Sequence, residues 1–341
     1  MLSTNRYSRQ ILFSPIGEKG QNHIASKKVL LIGAGALGSG IAESLVRAGV
    51  GSLTIIDRDY VDETNLQRQQ LYNEEDVKDQ MPKAEAAKRR LQLINKEVRI
   101  DAFARDADPG FLEPLLQDTD LIMDGTDNFE TRYMMNDLAV KHGIPWIYGA
   151  CVGSYGISYT IMPDETPCLT CLMKTMPMGG DTCDTAGIIS PAVMMVVSYQ
   201  VTDALKILSG NADKLKRELV SFDLWNNQYT SIKVSKMKKE SCPTCGTHRV
   251  YPYLQAEKTS RTAVLCGRDT VQIRPPEDRP LNVPEKASQL NGKVQELFHN
   301  PFLLSFHVGH LRLVAFKDGR VLVHGTKNPA EAKSTYQRYF G

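Results

Sequence analysis

No charge of one sign dominates this sequence: 41 lysines and arginines stand against 39 acidic residues in 341, a formal net charge of +2. Bulk electrostatics therefore favours neither nucleic acid nor an anionic membrane, and only a local patch could bind either. No continuous apolar run reaches the roughly 18 residues that a membrane span needs. The opening stretch MLSTNRYSRQILF has none of the regions of a secretory signal. The expectation is a cytoplasmic enzyme with no nucleic-acid or membrane partner. Cysteine is scarce as well, seven in all, which argues against a disulfide scaffold and makes metal or thiol chemistry the better starting point. Apolar residues are plentiful at 42%, enough for one large core or two domains.

The stretch VLLIGAGALGSG, residues 29–40, reads as a buried parallel strand running into glycines. Gly33 suits a tight turn, Gly35 lets a phosphate approach the backbone, and Gly38 lets the following helix lie close to the sheet. Ile41, Leu45 and Val46 give that helix an inward stripe, and Ala48-Gly49 marks its end. LTIID is the next strand, and Asp57 follows where a carboxylate accepts from ribose hydroxyls. A redox dinucleotide and ATP fit this pattern equally well.

Beyond Asp57 the chain carries Asn65, Arg68 and Lys83, which can converge on anionic oxygens if the excursion folds back over the turn. Pro82 is placed to start a helix with Lys83 in its first turn. Arg68 and Lys83 are otherwise ordinary surface charges. RIDAF is a third strand, and DLIMDGTDN carries Asp124 and Asp127 to the carboxyl end of a fourth. There Asp127 could hold Mg²⁺ against phosphates, while Asn128 could orient it or simply cap the next helix.

Two short pairs of thiols follow, Cys168 and Cys171 in CLTC, and Cys242 and Cys245 in CPTC. Together they have the spacing of a closed tetrahedral zinc site, which staples a fold and leaves no position for activated water. A redox CxxC would explain one pair and leave the other without a reason. Cys183, in a Gly- and Thr-rich loop, is either a nucleophile for an activated carbonyl or an inert thiol. Cys151 and Cys266 are expected to be buried. From Pro191 a largely buried helix is expected, with Met194, Met195 and Val197 in the core.

RYSRQI, GAGALG, ID, NLQRQ, PK, GTDN, PCLTC, TCDTAG and CPTC, in this order over residues 6 to about 248, resemble the ThiF/MoeB/HesA family of ubiquitin-like protein activating enzymes. The resemblance implies binding of ATP and Mg²⁺ and adenylation of the Gly-Gly terminus of a ubiquitin-like sulfur carrier, ThiS-like or MoaD-like. It also implies a homodimer in which Arg9 reaches the partner's ATP site. Gly33, Gly35 and Gly38 then form the nucleotide turn, Asp57 binds ribose, and Asn65, Arg68 and Lys83 contact the triphosphate, with Asp59 a further acid. Cys183 would carry a persulfide-linked acyl intermediate fed by a cysteine desulfurase or other sulfur donor, and TCDTAG leans towards thiamine over molybdopterin. An NAD(P)-dependent oxidoreductase and a non-catalytic carrier-binding scaffold remain the other classes.

The fold class expected is therefore α/β: a Rossmann-like ATP-binding domain over residues 1–249, with a mainly parallel central sheet and a four-cysteine zinc site. A small α+β appendage over 250–341 would follow, docking the carrier or supporting a dimer. Its cues are a strand near Val271 and Ile273, two alternating segments around Asp318-Gly319 and a closing helix. His299, His307, His310 and His324 lack a metal spacing and read as surface or locally bonded histidines.

Overall fold

The computed structural model describes residues 5–173, 186–255, 262–264, 269–275 and 280–340. Cys183 and Cys266 lie outside them. The chain divides into two compact units, Met1–Ala256 and Glu257–Gly341.

The first unit is built on an eight-stranded sheet in the order β3-β2-β1-β4-β5-β6-β7-β8. The strands are β1 Lys28–Ile32, β2 Ser52–Ile56, β3 Arg99–Phe103, β4 Leu121–Asp124, β5 Trp146–Val152, β6 Tyr155–Ile161, β7 Glu218–Asp223 and β8 Gln228–Lys233. β1 to β5 pair in parallel, and β5 to β8 pair antiparallel. The helices are α1 Ser8–Ile11, α2 Gly17–Ser26, α3 Ala36–Ala48, α4 Glu74–Lys78, α5 Lys83–Ile94, α6 Pro109–Leu116, α7 Phe129–His142, α8 Leu169–Met173, α9 Ser190–Leu208 and α10 Pro252–Gln255.

Side chains of β1 alternate between two buried layers, as a central parallel strand requires. Leu30 and Ile32 face Leu112 and Leu116 of α6 and Met135, Leu138 and Ala139 of α7, with the thiolate knuckles in the same cluster. The other layer holds α3 and α5, and α9 crosses it against β5 and β6. Ile41, Leu45 and Val46 are fully buried, and Gly49 closes α3 in the left-handed conformation at φ 81°, as the sequence pattern anticipates.

α9 departs from expectation at one residue. Val197 is buried and Met195 half-buried, but Met194 is 56% exposed. Met194, Ser198 and Thr202 stand one turn apart on the outward side of α9, all exposed. Hydrophobicity alone does not say which side of such a helix meets the sheet.

α10 belongs to the first unit because it lies against α7. The Tyr253 ring stacks on Tyr133 at 4.6 Å, and the Tyr253 N–H donates to Asp137.

The second unit is an antiparallel sheet of order β11-β12-β13-β14-β10-β9. Its strands are β9 Thr262–Val264, β10 Thr270–Ile273, β11 Gln295–His299, β12 Leu303–Val308, β13 Leu311–Phe316 and β14 Val321–His324, with helices α11 Val283–Leu290 and α12 Pro329–Phe340. One face, with Val271, Ile273, Leu304, Phe306, Leu313, Ala315, Val321 and Val323, packs with Val283 and Leu290 of α11 and Ala332 of α12. The turn at Asp318-Gly319 is present, but the segment before it is two strands folded at Gly309-His310 (φ 58° at Gly309). His310 lies 3.5 Å from Glu331 and His324 bonds Thr270, while His307 Nδ1 approaches Glu296 at 3.0 Å without hydrogen-bond geometry.

Candidate active site

The glycines at the carboxyl edge of β1 divide by what packs against them. A Cβ on Gly38 would lie 1.9 Å from the Gly33 carbonyl oxygen, and one on Gly125 would lie 2.3 Å from the same atom. Gly33 has φ 90°, a conformation that L side chains rarely adopt. These three are glycine because backbones touch. Gly35 is different: its Cβ would meet nothing nearer than the Gln69 amide nitrogen at 3.9 Å. Gly38→Ala should therefore destabilise the fold by about 3 kcal/mol or more through backbone overlap. Gly35→Ala should stay within about 1 kcal/mol of the parent. Equal losses in urea unfolding would make Gly35 a packing glycine as well.

Asp57 leaves β2 with both carboxylate oxygens engaged. One accepts from the Ala34 N–H at 2.6 Å and the other from the Asp59 N–H at 2.7 Å, so the acid braces the glycine turn itself. Burial raises the Asp57 pKa, Lys83 draws it down, and Asp59 raises it. Pro82 stands just ahead of α5 and Lys83 is its first residue. The Lys83 ammonium, only 4% exposed, lies 3.5 Å from Asp59.

The excursion does fold back: Tyr60 bridges Pro82, and Val61 N–H donates to the Met81 carbonyl. Tyr72 is buried and donates to Ala34 O at 2.6 Å, with Lys83 O at 3.3 Å. One phenol thus joins the glycine turn to the start of α5.

Asn65 is buried in a short turn, where its side-chain carbonyl accepts from Asp62 N–H. Arg68 is half-buried and donates to Thr64 O at 2.8 Å. It makes no ion pair with Asp57 or Asp59 among the described residues. Gln69 is 4% exposed, and its amide oxygen is buried without a hydrogen-bond partner. A buried orphan of this kind costs about 1–3 kcal/mol, and this one sits beside the open side of Gly35.

Asp124 ends β4 inside the protein, paired to Arg132 of α7 at 2.9 Å with both side chains buried. Arg132 also donates to Thr126 O and Gly149 O, and Asp124 accepts from Thr126 N–H and Oγ1. Burial works against the Arg132 charge, but Asp124, Tyr148 and Asp127 together outweigh it, and the guanidinium pKa is raised. This network holds the β4–α7 loop, from which Asp127 projects exposed and unbonded among the described residues. Asn128 caps α7 by accepting from Thr131 N–H. Asp124→Asn should cost about 3–5 kcal/mol in denaturant unfolding, because it leaves a buried cation unpaired; a loss under about 1 kcal/mol would remove the loop-bracing role.

At the amino terminus, Tyr7 is buried over Gly49 and bonded to Asn95. Gln10 bonds Gln21 and Ala48 O. These anchors fix α1 and leave Arg9 exposed on it, with exposed Leu12 and Phe13 beside it.

The four knuckle sulfurs lie within 4.8 Å of one another, all buried. Cys168 and Cys242 are 3.6 Å apart, and Cys171 and Cys245 are 3.5 Å apart. A tetrahedron with Zn–S of about 2.3 Å has S···S edges near 3.8 Å, so the donors fit zinc. Cys151 is only half-buried, because β5 leaves the core at its end.

Both the fold and the sequence have known counterparts. The fold resembles the crystal structure of Escherichia coli MccB with MccA-N7isoASN, at a TM-score of 0.63 and 22% identity over 71% of this chain and 75% of that one. In sequence, residues 7–244 match the ThiF family.

The chain belongs to the ThiF family.

The sulfur carrier protein ThiS adenylyltransferase of Bacillus subtilis (strain 168) is 51% identical over 338 residues, 99% of this chain and 100% of that one. The molybdopterin-synthase adenylyltransferase of Escherichia coli (strain K12) is 32% identical over 242 residues, 71% of this chain and 96% of that one. No helix among the described residues of this ThiF-family chain is long and apolar enough to cross a membrane.

Four residues around the ThiF-family site escaped sequence reasoning: Arg58, Gln69, Tyr72 and Arg132. Tyr72 and Arg132 resemble any polar position of a turn or helix, and only their tertiary partners reveal them. Gln69 stands in the quoted NLQRQ motif, so its neighbourhood was visible although its orphaned amide was not.

Proposed function

We propose that this chain adenylates the carboxyl-terminal Gly-Gly of a ubiquitin-like, ThiS-like sulfur carrier with ATP, releasing pyrophosphate, in the route to the thiamine thiazole. The carrying observation is the 51% identity to the Bacillus ThiS adenylyltransferase along 99% of the chain, against 32% to the molybdopterin relative. The open flank of Gly35 and the free amino end of α3 suit a nucleotide phosphate.

In this reading the carrier carboxylate, ionised at neutral pH, attacks the α-phosphorus of ATP. The bond to the bridging oxygen of the β-phosphate breaks, and pyrophosphate leaves with the electron pair. No base is needed. Asp57 orients the ribose, while Lys83, Arg68 and Asn65 bind the phosphates and stabilise charge as it moves to the leaving group. Arg9, exposed on its anchored helix, completes the site of a second copy in a homodimer, and the exposed Leu12 and Phe13 support burial there.

Asp127, with Asn128 beside it, is the carboxylate free to hold Mg²⁺, which when bound neutralises phosphate charge. Zn²⁺ in the four thiolates is structural. Cys183 is the thiol for a later acyl-persulfide step fed by a cysteine desulfurase or another sulfur donor.

Carrier-dependent exchange of labelled pyrophosphate into ATP tests the reading. Exchange with a thiamine-pathway carrier and little with a molybdopterin-pathway carrier is expected. The reverse preference would move the chain to molybdopterin synthesis. Absence of exchange with either, from folded zinc-loaded protein, would leave a binding scaffold.

A further inference from the structure

Arg58 stands at the site with no role in the reaction just described. It follows Asp57 at the carboxyl edge of β2, and its Nη1 lies 3.3 Å from Asp106 Oδ1 in the β3–α6 connection. Asp106 is 9% exposed at its side chain and Arg58 30%. Since β2 lies between β1 and β3, this pairing turns the guanidinium towards β3 and away from the glycine turn on β1.

Burial opposes the charge on Arg58, but Asp59, Asp106, Asp127 and Asp57 outweigh it and raise the pKa. Arg58 is a permanent cation already matched by carboxylates, and so has little charge left for a phosphate. Among the described residues no aromatic ring lies over it. Its edge is taken by Asp106, and 30% of the side chain remains exposed.

A guanidinium held by its edge offers its flat face, and that face stacks on aromatic rings. In a mononucleotide-binding fold, phosphates sit at the first glycine turn and ribose at the acid ending the second strand. The base then extends from the ribose away from the phosphates. We propose that Arg58, held edge-on by Asp106, stacks on the adenine base of ATP, so that Arg58 contacts substrate and Asp106 is a positioning residue. This rests on the reading of the chain as an ATP-dependent adenylyltransferase.

The test uses the full-length, zinc-loaded protein and two probes, ATP and inorganic tripolyphosphate, with binding measured by calorimetry. Arg58→Ala should weaken ATP about tenfold, the loss of one desolvated stacking contact, and leave tripolyphosphate within about twofold of the parent. Arg58→Tyr replaces one flat surface by another without the charge and should recover most of the ATP affinity. Asp106→Asn, which loosens the guanidinium but keeps it, should fall between. In pyrophosphate exchange the Arg58→Ala loss should appear in KM for ATP with kcat little changed.

Equal weakening of ATP and tripolyphosphate would make Arg58 a phosphate ligand and overturn the proposal, as would unchanged ATP affinity in Arg58→Ala or no recovery in a folded Arg58→Tyr. Failure of the parent protein to bind ATP at all would instead overturn the adenylation reading.

Discussion

Lys83→Ala is expected to lower carrier-dependent pyrophosphate exchange by about 10²–10³-fold, the scale of losing one preorganised group that stabilises transition-state charge. Its effect on unfolding should be no more than about 1 kcal/mol, because its pairing to the 22%-exposed Asp59 at 3.5 Å is loose. The placement of Lys83 argues for this separation. It is a buried cation at the first residue of α5, where the helix dipole is positive and favours acids. Burial and helix position both act against a lysine there, and a polyphosphate bound beside it, as proposed above, would reverse both.

Lys83→Arg should not rescue activity, since a planar guanidinium does not replace an ammonium in so enclosed a position. Urea unfolding run beside the exchange assay decides the matter. Activity lost in proportion to stability would reduce Lys83 to a structural residue.

The parts legible in the sequence were those set by local rules. The RIDAF stretch is β3 residue for residue, Pro82 precedes the first residue of α5, and Gly49 ends α3, because strand alternation, proline geometry and left-handed caps act within a few residues. The glycine turn after β1 and the position of Asp57 after β2 follow from the same local rules.

What stayed hidden depends on neighbours distant in sequence. Arg58 meets Asp106 across 48 residues only because β2 and β3 are adjacent. Met194 looked like core because α9 is apolar on several sides, and the sheet contacts only some of them. Val308 and Leu311 read as one continuous apolar segment, since a two-residue turn at Gly309-His310 is a weak break between two hydrophobic runs. The tyrosine bridge from Ala34 to Lys83 left no pattern at all, because one phenol touching two backbone carbonyls has no periodicity.

Removing the metal is expected to affect stability and nucleotide binding together, and the reason lies on α7. Asn136 of that helix accepts from Leu169 N–H beside the first knuckle and donates to Thr170 Oγ1. Thr170 Oγ1 meets Thr244 Oγ1 at 3.2 Å, and Thr244 donates to Asp137 at 2.6 Å. Each knuckle thus carries a threonine at its third position, and the two hydroxyls join both loops to one helix. Burial raises the Asp137 pKa, partly countered by the Thr244 hydroxyl. The same helix begins at the Asn128 cap behind Asp127 and carries Arg132, which holds the β4–α7 loop. Asn128, Arg132 and Asn136 are spaced four apart, on one side of α7, so the thiolate cluster and the Asp127 loop are fastened to a single rigid element.

Atomic emission should find one zinc per chain in the parent and none in Cys242→Ser. The substitution should cost about 3–5 kcal/mol, less than the total for an isolated zinc finger because most of the core does not need the metal. For a unit of this size that is about 10 °C in Tm. Thr244→Val, which keeps the sulfurs and strands Oδ1 of Asp137 while Oδ2 keeps the Tyr253 N–H, should retain zinc and lose about 1–3 kcal/mol. Both should weaken Mg²⁺-dependent ATP binding, the first more than the second, because loosening α7 frees the loop that presents Asp127. A Cys242→Ser protein with unchanged Tm and nucleotide affinity would mean that the four thiols do not staple this fold.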